Sequence, residues 1–281
     1  MQERTLSAYQ IQDYTQYLIG EERAAATVEK YLRDIRAFLA WAARRPVTRE
    51  LAGQWKNELL DSGLTPTTVN AKLSALNSLF RFLGWDECRV RFLKVQRQVF
   101  RDASKELTKA EYARLLETAR RQGKRKLELL METICAAGIR VSETRHITVE
   151  AAEAGRAEIR LKGKIRTILL PGKLCRKLLK YAKKQKIASG EIFLTQSGVP
   201  LTRHRIWQEM KSLCAASGVE ASKVFPHNLR HLFAQVFYQA TRDIVKLADV
   251  LGHSSINTTR IYLRTTGAEH TRQLELLGLI W

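Results

Sequence analysis

Phe225-Pro226-His227-Asn228-Leu229-Arg230-His231 is the stretch from which the rest of the chain can be read. Proline is pre-shaped for the first turn of a helix, where its missing N–H costs nothing, so a helix begins here and continues to about Tyr238. Helical spacing sets His227 and Arg230, three apart, on one face. Downstream come Leu251-Gly252-His253 and then Thr259-Arg260-Ile261-Tyr262-Leu263. Upstream, Ala136-Ala137-Gly138-Ile139-Arg140-Val141-Ser142-Glu143 puts an arginine after a small-residue bend and a glutamate three positions beyond it. Arginine, histidine, arginine, histidine and tyrosine thus follow one another along the chain as a set.

The surroundings of this set are mostly helical. Between Thr108 and Val149 the pattern is helical with a break near Gly123, and Thr108 with Glu111 makes a capping box at its start. Ala157 to Pro171 alternates, turns at Gly163 and alternates again, which predicts a β-hairpin. Helical periodicity resumes over Lys173–Lys184, Arg203–Ala216, His227–Tyr238, Ile244–Leu251 and Thr258–Leu263. The first hundred residues read as helices alone. Val28, Tyr31, Leu32, Ile35, Phe38, Leu39 and Ala42 make one buried face over Thr27–Ala43, with Lys30, Arg33, Asp34 and Arg36 on the other. Thr65-Pro66 starts a helix that reaches Gly84 and exposes Lys72 and Arg81, and two more helices are expected near Leu6–Ile19 and Thr48–Ser62. The expected fold is mainly α: an N-terminal helical bundle over residues 1–99, a linker over 100–106, and an α-rich domain with a small antiparallel sheet over 107–281.

Of 281 residues, 48 are Lys or Arg and 28 are Asp or Glu, a formal net charge of +20. Such an excess, recurring from Lys30 to Arg272 and not gathered on one segment, argues for a polyanionic partner, nucleic acid before an anionic membrane. With 45% apolar residues the chain has the material for packed cores. No stretch approaches the roughly 18 apolar residues of a membrane span. The N-terminus also lacks the apolar region of a signal peptide, so a cytoplasmic location without membrane contact is expected. Cys88, Cys135, Cys175 and Cys214 are widely separated and read as buried reduced thiols. His227 and His231 share the spacing of a zinc-binding helix. Asn228, however, stands where a glutamate base belongs, and Arg230 would set a fixed positive charge beside the ion. No metal and no cofactor is expected.

Taken singly, His-x-x-Arg or Leu-Gly-His says little. Together, Gly138 to Glu143, His227 to His231 and Leu251 to Tyr262 resemble the tyrosine recombinase/integrase family of DNA-breaking and rejoining enzymes, in its short two-domain Xer-like form. The resemblance covers nearly the whole chain. It implies that residues 1–99 are a SAM-like core-binding domain for DNA and that 107–281 are the catalytic domain, ending in a tail that relatives exchange between protomers. The implied activity is site-specific DNA recombination, in integration, excision or resolution of DNA, by metal-independent strand cleavage and rejoining through a covalent 3′-phosphotyrosine. The implied partners are double-stranded DNA at specific recombination sites and further copies of the chain, as a homotetramer on two DNA sites. There is room for an accessory directionality factor. The two domains are expected to close on duplex DNA as a C-shaped clamp. A DNA-binding regulator without catalysis leaves the arginine–histidine–tyrosine set unexplained, and the N-terminal bundle and tail favour recombination over a type IB topoisomerase.

The chemistry accounts for these residue types. A phosphodiester attacked by a phenol gathers negative charge on its non-bridging oxygens, and guanidinium forks hold those oxygens while staying charged, the role expected of Arg140 and Arg230. His227 and His253 donate further hydrogen bonds or move protons. Tyr262 is the expected nucleophile, and Glu143 is expected to orient Arg140. The family takes the leaving oxygen's proton from a hairpin lysine. Lys162-Gly163-Lys164 offers two, with Lys164 slightly favoured and Lys162 as the alternative. Lys30, Arg33, Lys72, Arg203 and Arg205 are expected DNA contacts.

Overall fold

Side-chain caps decide where the first helices begin. The structure is a computed structural model describing residues 4–95, 103–161, 164–263, 271–272 and 274–277. The chain divides into two units, Met1–Arg97 and Gln98–Trp281. The first contains α1 (Ala8–Gly20), α2 (Ala25–Ala42), α3 (Arg49–Asp61) and α4 (Pro66–Phe82). Ser7, Thr48 and Thr65 each accept a backbone N–H three residues on, at the starts of α1, α3 and α4, and Pro66 occupies the first turn of α4. The helices meet around Phe38, Trp55 and Phe80, whose rings cross edge to face with Phe38 in the middle, 5.2 Å from Trp55 and 6.4 Å from Phe80. Tyr14 and Leu18 fasten α1 to Val28, Ile35, Ala75 and Leu79.

Two asparagines on α4 hold the chain that leaves this bundle. Asn77 donates to the Val90 carbonyl at 2.9 Å and accepts the Val90 N–H at 3.1 Å. Asn70, two turns earlier, makes the same pair with Leu93, at 2.9 and 2.8 Å. An amide side chain matches a peptide group donor for acceptor, which satisfies an extended segment that has no strand beside it.

Asp34, expected on the outer face of α2 among basic neighbours, is instead 3% exposed. It accepts from Lys30 Nζ at 2.8 Å and from Lys72 Nζ of α4 at 3.2 Å. Lys30 also donates to the Ala71 carbonyl at 3.3 Å. Ion pairing across the α2–α4 crossing overrides the polarity pattern, because a carboxylate between two ammonium groups tolerates burial that a lone one does not.

The second unit runs α5 (Lys109–Arg121), α6 (Arg125–Ala137), a 3₁₀ turn Val141–His146, α7 (Val149–Ala154), β1 (Arg156–Leu161), β2 (Lys164–Leu169), α8 (Gly172–Lys184), α9 (Arg203–Lys211), α10 (Cys214–Ser217), α11 (Pro226–Thr241), α12 (Ile244–Leu251), α13 (Ile256–Thr259) and a 3₁₀ turn Arg260–Leu263. The helical region expected from Thr108 to Val149 breaks twice, at Gly123 and again at Gly138. Gly138 is left-handed (φ +60°), and a Cβ there would lie 2.4 Å from the Phe233 ring of α11. Only glycine lets α6 end so close to α11. The helix expected over Arg203–Ala216 is likewise divided into α9 and α10.

β1 and β2 pair antiparallel from Arg156↔Leu169 to Leu161↔Lys164. One face of this two-stranded sheet presents Ala157, Ile159 and Ile168 to a core shared with Leu130, Ile134, Leu178, Met210 and Leu229. Cys88, Cys175 and Cys214 are buried free thiols, and Cys135 is half-buried. Among the described residues, no helix is long and apolar enough to cross a membrane.

Replacing Asn77 with leucine leaves the Val90 N–H and carbonyl buried without partners and is expected to lower stability by about 2–3 kcal/mol. Asn70→Leu, where Leu93 is less buried, is expected to cost less. Urea denaturation followed by the fluorescence of Trp41, Trp55 and Trp85, all in this unit, reads the difference. Equal midpoints for Asn77→Leu and the parent chain would contradict this account.

Candidate active site

The end of α6 places the first arginine. Gly138 turns the chain, Ile139 anchors it in the core, and Arg140 in extended conformation opens the 3₁₀ turn Val141–His146. Glu143 folds back within that turn. One oxygen accepts the Arg140 N–H at 2.8 Å and the other accepts Arg140 Nη1 at 2.9 Å. Arg166, reaching in from β2, donates to both oxygens at 2.9 and 3.0 Å, and Arg230 Nη1 stands 3.9 Å away. A single carboxylate, 2% exposed, therefore faces three guanidinium groups. Burial pushes its pKa up, but the Arg140 N–H and the charges of Arg166 and Arg140 outweigh this and hold the carboxyl below its usual range.

Arg230 lies in the first turns of α11 and is as buried as Glu143. Nη1 donates to the Gly138 carbonyl at 2.6 Å, and Nη2 to the Leu251 carbonyl at 2.8 Å. These are carbonyls at the C-terminal ends of α6 and α12, groups that a helix leaves without intrahelical partners and that carry its partial negative charge. Nη2 also meets His253 Nε2 at 3.0 Å. A guanidinium has no acceptor, so Nε2 accepts and the ring proton sits on Nδ1, which donates to Thr259 Oγ1 at 2.9 Å. His253 is neutral for the same reason. Burial, then the charges of Arg230, Arg140 and Arg166, pull its pKa down to about 4.

Tyr262 is 4% exposed and packs with Ala234, Leu247 and Leu251. The His253 ring stacks on it at 5.9 Å and 10°, His231 meets it edge to face at 4.4 Å, and the His227 ring centre lies 6.2 Å away. His227 in turn lines a cavity of about 660 Å³ with Arg140, Ser142, Arg203, Trp207 and Arg230. Burial and the neighbouring Arg230, Arg203 and Arg140 lower its pKa. The arrangement is a concave, cationic seat with neutral imidazoles at its side and a phenol beneath them, suited to holding an anion and offering it a nucleophile.

The structure thus brings together Arg140, Glu143, His227, Arg230, His253 and Tyr262. Of the lysine candidates, Lys162 and the Lys164 side chain lie outside the described residues, while the Lys164 backbone opens β2. Among the expected DNA contacts, Arg203 lines the cavity, Arg205 pairs with Glu209 at 3.2 Å, Arg33 is exposed, and Lys30 and Lys72 are held on Asp34. Sequence reasoning missed Arg166, His231 and Thr259. His231 had a signal in its place one turn after His227. Among the described residues, no group of three or more His, Cys, Asp or Glu side chains is placed to hold a metal ion.

Near pH 6 an ordinary imidazole, with a pKa about 6.5, is mostly cationic, whereas His253 is expected to remain neutral with its proton on Nδ1. The folded pKa lies below the unfolded one, so this contribution to stability is complete above pH 6.5 or so and is lost as pH falls toward 4. Long-range proton–nitrogen NMR spectra of the histidine rings test both points. An imidazolium, or an Nε2–H tautomer, near pH 6 would contradict the hydrogen bonding described.

Comparison with known proteins bears on the family and the fold. The Phage integrase family model matches residues 105–269, and the model of the phage integrase N-terminal SAM-like domain matches residues 11–87. Tyrosine recombinase XerA of Pyrococcus furiosus is 27% identical over 97% of this chain and 95% of its own length. Tyrosine recombinase XerD of Brucella suis is 30% identical over 87% of this chain and 89% of its own. Among solved structures, a lambda integrase dimer bound to a core site superimposes with a TM-score of 0.73 at 18% identity, covering 92% of this chain and 78% of that one. A lambda integrase tetramer bound to a Holliday junction gives 0.72 at 18%, covering 92% and 77%. By these matches, over more than half of its length, the chain belongs to the phage integrase family of tyrosine recombinases.

Proposed function

We propose that this protein is a site-specific DNA recombinase that cuts and rejoins double-stranded DNA through a 3′-phosphotyrosine, with no metal ion and no cofactor. The observation that carries this reading is the meeting of Arg140, Arg230 and His227 around one cationic cavity, with His253 bonded to Arg230 and Tyr262 packed against the rings of His227 and His253. In the proposed step Arg140 and Arg230 bind the non-bridging oxygens of the scissile phosphate, with Glu143 fixing the fork of Arg140. The Tyr262 oxygen forms a bond to phosphorus as the bond to the 5′-oxygen breaks. The phenolic proton passes to the neutral imidazole of His227, both nitrogens of His253 being engaged by Arg230 and Thr259. The leaving oxygen takes a proton from the hairpin lysine. Lys164 is preferred to Lys162 because its backbone belongs to β2. The new ester keeps the phosphodiester's energy, so a 5′-hydroxyl of another strand reverses the step without ATP.

Residues 1–99 are the proposed core-binding domain and 107–281 the proposed catalytic domain. Exchange between two duplexes requires four strands to be cut, which a homotetramer on two recombination sites supplies, as in the lambda integrase assembly on a Holliday junction. Leu274, Leu276 and Leu277, exposed in the described part of the tail, suit docking on a neighbouring protomer. Arg33, Arg203 and Arg205 are proposed phosphate contacts, with Lys30 and Lys72 held ready by Asp34.

Nicked suicide duplexes carrying the DNA that flanks the gene test the reading directly. With EDTA present and ATP absent, the wild type is expected to form an SDS-resistant adduct that maps to Tyr262 on a 3′-phosphate, and Tyr262→Phe none. Arg140→Lys keeps the charge but loses the fork and is expected to cut about 10²–10³-fold more slowly, with duplex binding nearly unchanged. Cleavage that persists in Tyr262→Phe would refute the proposal.

A further inference from the structure

Arg166 occupies a position where the hairpin pattern calls for an apolar residue. It pairs with Ile159 across the strands, and the next pair on the same face is Ala157 with Ile168, all three apolar partners being buried. A guanidinium on the core face of a strand needs acceptors. Nη1 takes both oxygens of Glu143, and Nη2 takes the Val250 carbonyl at 2.8 Å, three residues before His253. The side chain crosses directly over Gly252. A Cβ at Gly252 would lie 2.4 Å from Arg166 Cδ and 2.5 Å from Nε. The glycine of Leu251-Gly252-His253 is therefore needed twice, for its left-handed φ of +64° and for the approach of Arg166.

These contacts join the Arg140–Glu143 turn, the end of α12 and β2. A two-stranded sheet is marginal by itself, and its apolar contacts lie toward the base of the hairpin, at Ala157, Ile159 and Ile168. Arg166, opposite Ile159, is the last described side chain of this face before the tip, two residues from Lys164. We propose that Arg166 is a positioning residue, which holds the lysine-bearing strand against the phosphate seat and thereby governs protonation of the leaving 5′-oxygen. This rests on the recombinase reading above and goes beyond it, since it gives one residue outside the arginine–histidine–tyrosine set a defined step.

Sulfur substitution isolates that step. In a duplex whose bridging 5′-oxygen is replaced by sulfur, the same Tyr262–phosphorus bond forms, but the P–S bond breaks to release a thiolate. Thiols ionise far more readily than alcohols, so no acid is needed. On the oxygen substrate, Arg166→Ala is expected to slow single-turnover cleavage about 100-fold, the scale of a lost general acid, yet to cut the sulfur substrate within about threefold of the wild type. Lys164→Ala should show the same pattern, with Lys162→Ala as its control. Gly252→Ala displaces Arg166 from the other side without removing a charge and should reproduce the rescue. Together with Arg166→Gln it carries the test if Arg166→Ala melts early or loses duplex binding. If the lysine variant is rescued by sulfur while the Arg166 and Gly252 variants stay equally slow on both substrates, Arg166 serves the phosphate charge or the fold and the proposal fails. A wild type that forms no adduct on either substrate would instead bring down the recombinase reading.

Discussion

A buried guanidinium must find acceptors, and Arg230 finds them at the ends of two helices. Its contacts to the Gly138 and Leu251 carbonyls fix where α6 and α12 stop. They also use dipole ends that would otherwise face each other across a dry interior. Much of the site follows from this one residue. Because α6 stops at Gly138, Arg140 emerges extended toward the cavity. Because Arg230 has only donors, His253 is neutral in a defined tautomer. Because His253 is so fixed, Thr259 and the stacked Tyr262 are placed as well. The two glycines that allow these approaches, Gly138 beneath Phe233 and Gly252 beneath Arg166, are packing requirements of the same centre.

The electrostatics are deliberately unbalanced. Three guanidinium groups share one carboxylate, Glu143, so the centre keeps an excess of positive charge that no described side chain neutralises. His227 and His253 do not add to it, because burial and the arginines drive both toward the neutral form. Fixed charge is thus carried by groups that cannot lose their protons, and proton exchange is left to groups that can. Such a division suits a reaction in which negative charge builds on phosphate oxygens while a phenol must give up a proton at neutral pH.

How far this was legible in the sequence depends on how local each cause is. Caps such as Thr65-Pro66 and Thr108 with Glu111 act within one turn, and the helices they start are where the spacing put them. The hairpin followed from alternation, and the ordered arginines, histidines and tyrosine pointed to one site. Causes that act across the fold left little trace. Asp34 reads as an outer-face residue until Lys72, on another helix, is seen to reach it. Gly138 reads as a bend within a helix until Phe233 shows why α6 must stop. Arg166 passes unremarked in the hairpin until the register opposite Ile159 shows it on the buried face, where a guanidinium needs a partner.

The unlike construction of the seat and of the nucleophile completes the argument. Arg140 and Arg230 rest on the ends of α6 and α11, two long helices whose shared core includes Ile134 and Leu229. Tyr262 stands in the 3₁₀ turn Arg260–Leu263 after the single turn of α13. Short helices draw little stability from their own hydrogen bonds and are among the first elements to rearrange. Tyr262 is covered by His231 and His253 in this state, and it packs on Ala234 of α11, the helix that also carries Arg230.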